Sequence, residues 1–240
     1  MDSRRQLDNK VWTAGHAIPP ACDYRQRVGA ERRERTRALL LKSMLSLVRE
    51  DFRTIPSIDE TISAAGVSRG TFYKYFPSAE ALIQELVGKI AERWVRTIDP
   101  VLRIHEDPAD RVAQGIRLAA RLAIHQPAMA TLLGQLEWSN YRVPVMMEFL
   151  RRDIEEGISV ARFERIPTSL AFHVVAGAAL SAMQHMLQTD GDDDFSELAA
   201  EVALRALGVS MKVARITARR PLATNESILA QLLAELADSP

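Results

Sequence analysis

SIDETISAAGVSRGTFYKYF, residues 57–76, decides how the rest of the chain is read. Ser57 with Glu60 three residues on has the spacing of a capping box, which opens a helix. Ile58, Ile62 and Ala65 recur at helical spacing. Gly66 suits the left-handed residue that closes such a helix. Val67 then plugs the corner, and the Ser68 hydroxyl caps a second helix. Phe72 and Phe76 are four apart and share an inward face, which leaves Arg69, Thr71, Tyr73 and Lys74 on other faces. Pro77 stops the helix. Two short helices about a glycine corner, the second with a polar and basic outer face, form the helix-turn-helix pattern. Its second helix enters the DNA major groove.

The run AAGVSRGTFYKYFPSAEAL, Ala64 to Leu82, resembles the signature of the tetracycline-repressor (TetR) family of bacterial transcription regulators. The resemblance covers roughly residues 32 to 82. It implies an all-α protein with a three-helix DNA-binding head and a larger helical bundle for ligand binding and dimerisation. Two positions depart from the family pattern. Ala79 stands where a lysine commonly meets a phosphate, and Thr61 stands where an aliphatic residue is usual.

Charge divides in the way this reading needs. The whole chain is neutral, but residues 25–77 carry eleven Lys/Arg against six Asp/Glu, and residues 78–240 carry seventeen against twenty-two. A basic head on an acidic body suits nucleic acid. The single Cys22 cannot close an internal disulfide. The opening MDSRRQLDNK lacks the apolar core of a signal peptide, and the apolar run 170–183, broken by His173 and Ser181, is short for a bilayer. A bacterial cytoplasm and no membrane partner are expected.

Three domains are expected: an arm at 1–30, the head at 31–77, and the bundle at 78–240 with a connecting helix at 78–98. The arm holds Gly15, Pro19, Pro20 and Gly29, and reads either as a plain tail or as a basic segment touching phosphates. Arg32 and Arg33 crowd the start of the first firm helix against its dipole, which a nearby phosphate backbone would justify. Asp99-Pro100 is expected to break the connecting helix. Further helices are expected at 108–126, from Pro127 to about Trp138, and at 143–160, 167–188 and 195–207. The resembled family usually ends near there, leaving 210–240 as an extension with a last amphipathic helix at 226–237.

Expected DNA contacts are Arg32, Arg33, Ser57, Ser68, Arg69, Gly70, Thr71, Tyr73 and Lys74. The segment from Leu170 to Met183 is apolar nearly all round and rich in small residues, so it must be covered on every side. The family's last two helices form a four-helix dimer interface. That places Val174, Ala178, Ser181, Ala182, His185, Leu198 and Val202 against a second copy, although a monomer's central helix has the same composition. The resemblance also implies a small-molecule pocket. Its candidate lining is Trp94, His125, Trp138, Met147, Phe149 and Phe172, each of which reads equally as ordinary core.

No cofactor or metal is expected. The histidines are scattered. Asp190–Asp194 with Glu201 imitates a calcium loop but puts Phe195 where glycine belongs. No nucleophile elbow, phosphate loop or HExxH occurs, so an enzyme is not expected. The expected partners are double-stranded DNA, a second copy and a small-molecule effector. A constitutive DNA-binding dimer is the alternative.

Overall fold

The computed structural model describes residues 21–135, 144–189 and 193–222, and all regular structure among them is helical. The chain divides into two compact units, 1–37 and 38–240. The described part of the first is the opening of α1 (Ala21–Glu50), with Arg32 and Arg33 exposed. This helix takes in the last ten residues of the expected arm. Gly29 costs a helix only about 1 kcal/mol, too little to stop one this long. Residues 1–20, the rest of the expected arm, lie outside the described residues.

In the second unit, the end of α1 buries Leu40, Leu41, Met44, Leu45 and Val48. α2 (Ile58–Ala65) and α3 (Arg69–Tyr75) follow. Next comes α4 (Ala79–Leu102), capped by Ser78, whose hydroxyl accepts from the Ala81 N–H at 3.2 Å. α4 does not break at Asp99-Pro100 as the sequence suggests; Pro100 is exposed and lies inside it. Pro100 forgoes its own hydrogen bond to the carbonyl four residues back, a local cost. Ile98 and Leu102 on either side are buried, which holds the last turn in place.

α5 (Pro108–His125) is the centre of the bundle. Its cap is Asp107, accepting from the Ala109 N–H at 2.9 Å, and Pro108 fills the first helical position. Fourteen of its residues are buried, four of them polar: Asp110, Arg111, Gln114 and Arg117. Around it pack α6 (Pro127–Gly134), α7 (Pro144–Ser159), α8 (Thr168–Gln188) and α9 (Asp193–Ala206). α6 closes at Gly134, short of the expected end, and Trp138 lies outside the described residues. α8 is long and apolar enough, by length and composition alone, to cross a membrane. Here its Ala171, Phe172, Val175 and Met183 are buried in the bundle.

A tenth helix, α10 (Met211–Ala218), was not anticipated by the sequence reading. Ion pairs and backbone contacts fasten it and its following turn. Arg219 meets Glu201 at 2.9 Å, Arg220 pairs with Asp110, and Gln114 Nε2 donates to the Pro221 carbonyl at 3.0 Å. Glu201 also takes Arg215 at 3.4 Å, so this carboxylate is held by two guanidiniums. Those bonds hold its carboxyl below the usual glutamate range, the Arg219 hydrogen bond most of all. The expected helix at 226–237 lies outside the described residues.

One contact in α7 makes a sharp prediction. A Cβ at Gly157 would fall inside the Phe163 ring, and Phe163 is buried. Gly157→Ala must displace that ring, so a loss of about 1–3 kcal/mol is expected in urea unfolding, as for other overpacked cores. An unchanged midpoint would show that the ring moves freely.

Candidate nucleic-acid interface and ligand cavity

The corner at residues 57–76 is fastened by its own side chains. Ser57 Oγ accepts from the Glu60 N–H at 3.3 Å, and the Ser57 N–H donates to Glu60 Oε2 at 2.8 Å. The Ser57 hydroxyl donates to the same oxygen at 2.7 Å. These bonds, the hydroxyl's first, hold the Glu60 carboxyl below its ordinary range. Gly66 adopts φ 63° and ψ 32°, and the Val67 N–H reaches back to the Ile62 carbonyl at 3.1 Å. Ser68 Oγ accepts from the Thr71 N–H at 3.1 Å and lies 2.9 Å from the Thr71 hydroxyl.

Thr61, the departure from the family's aliphatic residue, is fully buried. Its hydroxyl donates to the Ser57 carbonyl at 2.8 Å and turns towards Met44 Sδ at 4.0 Å. The polar atom is satisfied within its own helix, so the methyl packs as an aliphatic side chain would.

Phe72 and Phe76 are each 1% exposed and anchor α3 from below, their ring centres 6.0 Å apart. Tyr73 is half exposed and meets Phe72 edge-on at 5.4 Å. Arg69, Gly70, Tyr73 and Lys74 are exposed and Thr71 is half-buried. Arg69 lies 3.5 Å from Asp59 with both side chains largely in water. Such a pair is worth little and exchanges readily for a phosphate. A Cβ at Gly70 would meet only Ser68 Oγ, at 3.9 Å, so the backbone there does not require glycine; its lack of a side chain leaves that surface low. Ser57 and Ser68 use their hydroxyls in capping, which the sequence had offered to DNA.

A cavity of about 140 Å³ lies between α4, α5, α7 and α8. Trp94, Val95, Ile98 and Leu102 of α4 line one side, with Phe149 on α7 and Val175 and Met183 on α8. Of the six candidates read from the sequence, Trp94 and Phe149 line it. Phe172 is buried core away from it, and His125 sits half-buried at the end of α5. Trp138 and the Met147 side chain lie outside the described residues.

The sequence reading missed the cavity's polar end, formed by Asp99, Arg111 and Asp153. Arg111 Nε donates to Asp153 Oδ1 at 3.1 Å, and its Nη2 lies 2.6 Å from Glu156 Oε2. Arg152 Nη2 donates to Asp99 Oδ1 at 2.6 Å, and its guanidinium lies 4.9 Å from the Phe149 ring centre. Burial pushes the Asp153 carboxyl above its ordinary range, against the pull of Arg111 and Arg152.

On the face expected to meet a second copy, Leu198 and Val202 of α9 are half exposed, Ser181 is exposed, and Val174 and Ala178 are half-buried. Ala182 does not fit that role as expected. Ala182 is fully buried within its own chain, so its methyl cannot touch a partner. His185 stacks flat on Phe195, ring centres 3.9 Å apart.

A capped helix-turn-helix followed by a helical bundle around an internal cavity is the architecture of a DNA-binding regulator. The profile described as bacterial regulatory proteins, tetR family, matches residues 57–86, and that of the tetracyclin repressor-like C-terminal domain matches 107–220. A crystal structure of RolR in complex with the ligand resorcinol is 31% identical, covers 80% of this chain and 97% of its own, and superposes with a TM-score of 0.68. The HTH-type transcriptional regulator EthR of Mycolicibacterium smegmatis is 32% identical over 98 residues. That match spans 40% of this chain and less than half, 45%, of the curated relative. FadR of Bacillus subtilis, solved with stearoyl-CoA, shares the fold at 17% identity, a TM-score of 0.54 and coverage of 72% of this chain and 97% of its own.

The chain belongs to the TetR family. Its relatives are transcription regulators, not enzymes. The C-terminal match runs to residue 220, so α10 belongs to the family domain rather than to an extension beginning at 210.

Proposed function

We propose that this chain is a homodimeric repressor whose operator complex is released by a small, neutral, hydroxylated aromatic compound. The observation that carries the effector class is the cavity: apolar walls closed at one end by Asp99, Asp153 and Arg111. The carboxylates accept hydrogen bonds and the guanidinium donates them, so this end suits a ligand whose O–H groups can do both. Phenols ionise near the tyrosine range of about 10 and stay neutral at physiological pH. RolR, 31% identical, was crystallised with one such compound.

The head is residues 31–77 and the bundle 78–240. In the operator complex Arg69, Gly70, Thr71, Tyr73 and Lys74 face the major groove, while Arg32, Arg33 and the backbone at Ser57 and Ser68 hold phosphates. Phosphate contacts set register and base-edge contacts set sequence. α4 carries cavity residues along its C-terminal half and follows the head directly. A ligand that fits one tilt of α4 better than another shifts the spacing of two heads, and so the operator affinity. The protein works in the bacterial cytoplasm, where the DNA is.

Resorcinol is the first probe. It should raise the melting temperature and release operator DNA; at a hundred times its Kd the stabilisation should be about 2.7 kcal/mol. Stabilisation without release would make the ligand a structural passenger. Silence across a wide panel of phenols would favour the constitutive binder.

The partner face is tested separately. Leu198→Glu with Val202→Glu places two carboxylates on a half-exposed apolar surface. Analytical ultracentrifugation should show a dimer for the native chain and a monomer for the double variant. A dimer that tolerates both charges would move the interface elsewhere. Two copies are needed because two recognition helices must reach major grooves about 34 Å apart.

A further inference from the structure

Trp94 faces two spaces. One is the effector cavity, whose α4 lining begins at Trp94 and runs to Leu102. The other is a cavity of about 370 Å³, whose α4 lining lies between residues 89 and 97. The helices alongside hand over in the same way. On α5 the effector cavity takes residues between 111 and 119, and the second cavity takes Leu122. On α6 the first takes Leu133 and the second Met129. The two spaces therefore follow one another along the same three helices. Among the described residues, Trp94 is the only one that walls both. It is 5% exposed, so its indole is enclosed within the bundle. Leu122 and Met129 are buried too, so the far side of the indole is apolar.

The effector cavity, at about 140 Å³, matches the space that holds one benzene ring, roughly 150 Å³. A ring whose hydroxyls reach the polar end fills it. Room for a substituent on that ring lies past the indole. We infer that Trp94 is the specificity-determining residue of the effector cavity: its indole is a partition that holds the effector to a single ring and shuts an alkyl-substituted ring out of the space behind. The hydroxyl contacts rest on the effector class proposed above, whereas the partition depends on the apolar walls alone. A tail admitted past the indole gains about fourfold in affinity per methylene buried. A tail stopped by the indole gains nothing and pushes the ring away from its polar end.

Calorimetric titration of the full-length chain with resorcinol and 4-hexylresorcinol reads the partition. The native chain should bind 4-hexylresorcinol at least about tenfold more weakly than resorcinol, and Trp94→Ala should reverse that order by at least about tenfold. Loss of a buried indole leaves a large gap, so Trp94→Leu, which leaves a smaller one, is measured in parallel and should move the ratio the same way. Butylbenzene separates this inference from the effector class, because it carries no hydroxyl. It should bind the opened variants at least about tenfold more tightly than the native chain, whether or not resorcinol binds. Leu122→Phe added to Trp94→Ala takes up room in the second cavity alone and should cancel the gain of either tailed probe. Silence of resorcinol beside a gain for butylbenzene would remove the proposed effector and leave the partition standing. The partition is overturned if butylbenzene binds native and opened chains alike, or if the native chain takes 4-hexylresorcinol as tightly as resorcinol. It is equally overturned if Leu122→Phe leaves the gain of the tail intact.

Discussion

Replacing Tyr73 and Lys74 together with alanine should lower operator affinity at least about 100-fold and leave the protein folded. Each groove or phosphate contact is worth about 1–3 kcal/mol, and the proposed dimer would present the pair in both half-sites. Both side chains are exposed, and Tyr73 gives up only its edge contact with Phe72. That contact is worth about 0.5–1.5 kcal/mol, well within what a domain tolerates. The salt dependence makes the test specific. Removing one phosphate-binding lysine per subunit should flatten the slope of log affinity against log salt by about 1 per site. Selection of a binding sequence from random duplexes, followed by titration at several salt concentrations, measures both. If the double variant binds with native affinity and slope, α3 is not the helix that reads DNA.

How far the sequence could be read depended on the range of the interactions. The corner from Ser57 to Ser78 was fully legible, because each hydrogen bond that shapes it joins residues within five positions of each other. Gly29 and Pro100 were misread for the converse reason. Each breaks a local rule, and burial of Ile98 and Leu102 outweighs the rule at Pro100. The cavity was half legible. An aromatic residue on a helix signals burial, not whether the space beside it is filled; Phe149 faces a void and Phe172 faces core. Its polar end was out of reach, since Arg111 finds Asp153 across forty-two positions. One signal was available: Asp110, Arg111, Gln114 and Arg117 recur on a helix whose apolar residues leave little free surface, and buried charges come in pairs.

That pairing sets the largest stability effect. Arg111 is 3% exposed and holds Asp153 and Glu156, while its Nη1 donates to the carbonyls of His105 and Glu106 at 3.0 Å each. Arg111→Met would leave the Asp153 carboxylate buried without its main partner. Breaking a buried pair in this way costs about 3–5 kcal/mol. Asp153 already has its carboxyl pushed up by burial, and the loss of Arg111 pushes it higher. An acid whose folded pKa exceeds its unfolded value binds more protons in the folded state, so its penalty is full above the folded pKa and fades as pH falls towards the unfolded one. Arg111→Met should therefore be most damaged at neutral pH and recover part of its loss under mildly acid conditions. The double change Arg111→Met, Asp153→Leu removes both charges and should regain most of the stability at neutral pH. Urea unfolding at neutral and mildly acid pH distinguishes the cases. If the single variant is no weaker at neutral pH than at acid pH, Asp153 is solvated in the native cavity and offers no buried acceptor for an effector hydroxyl.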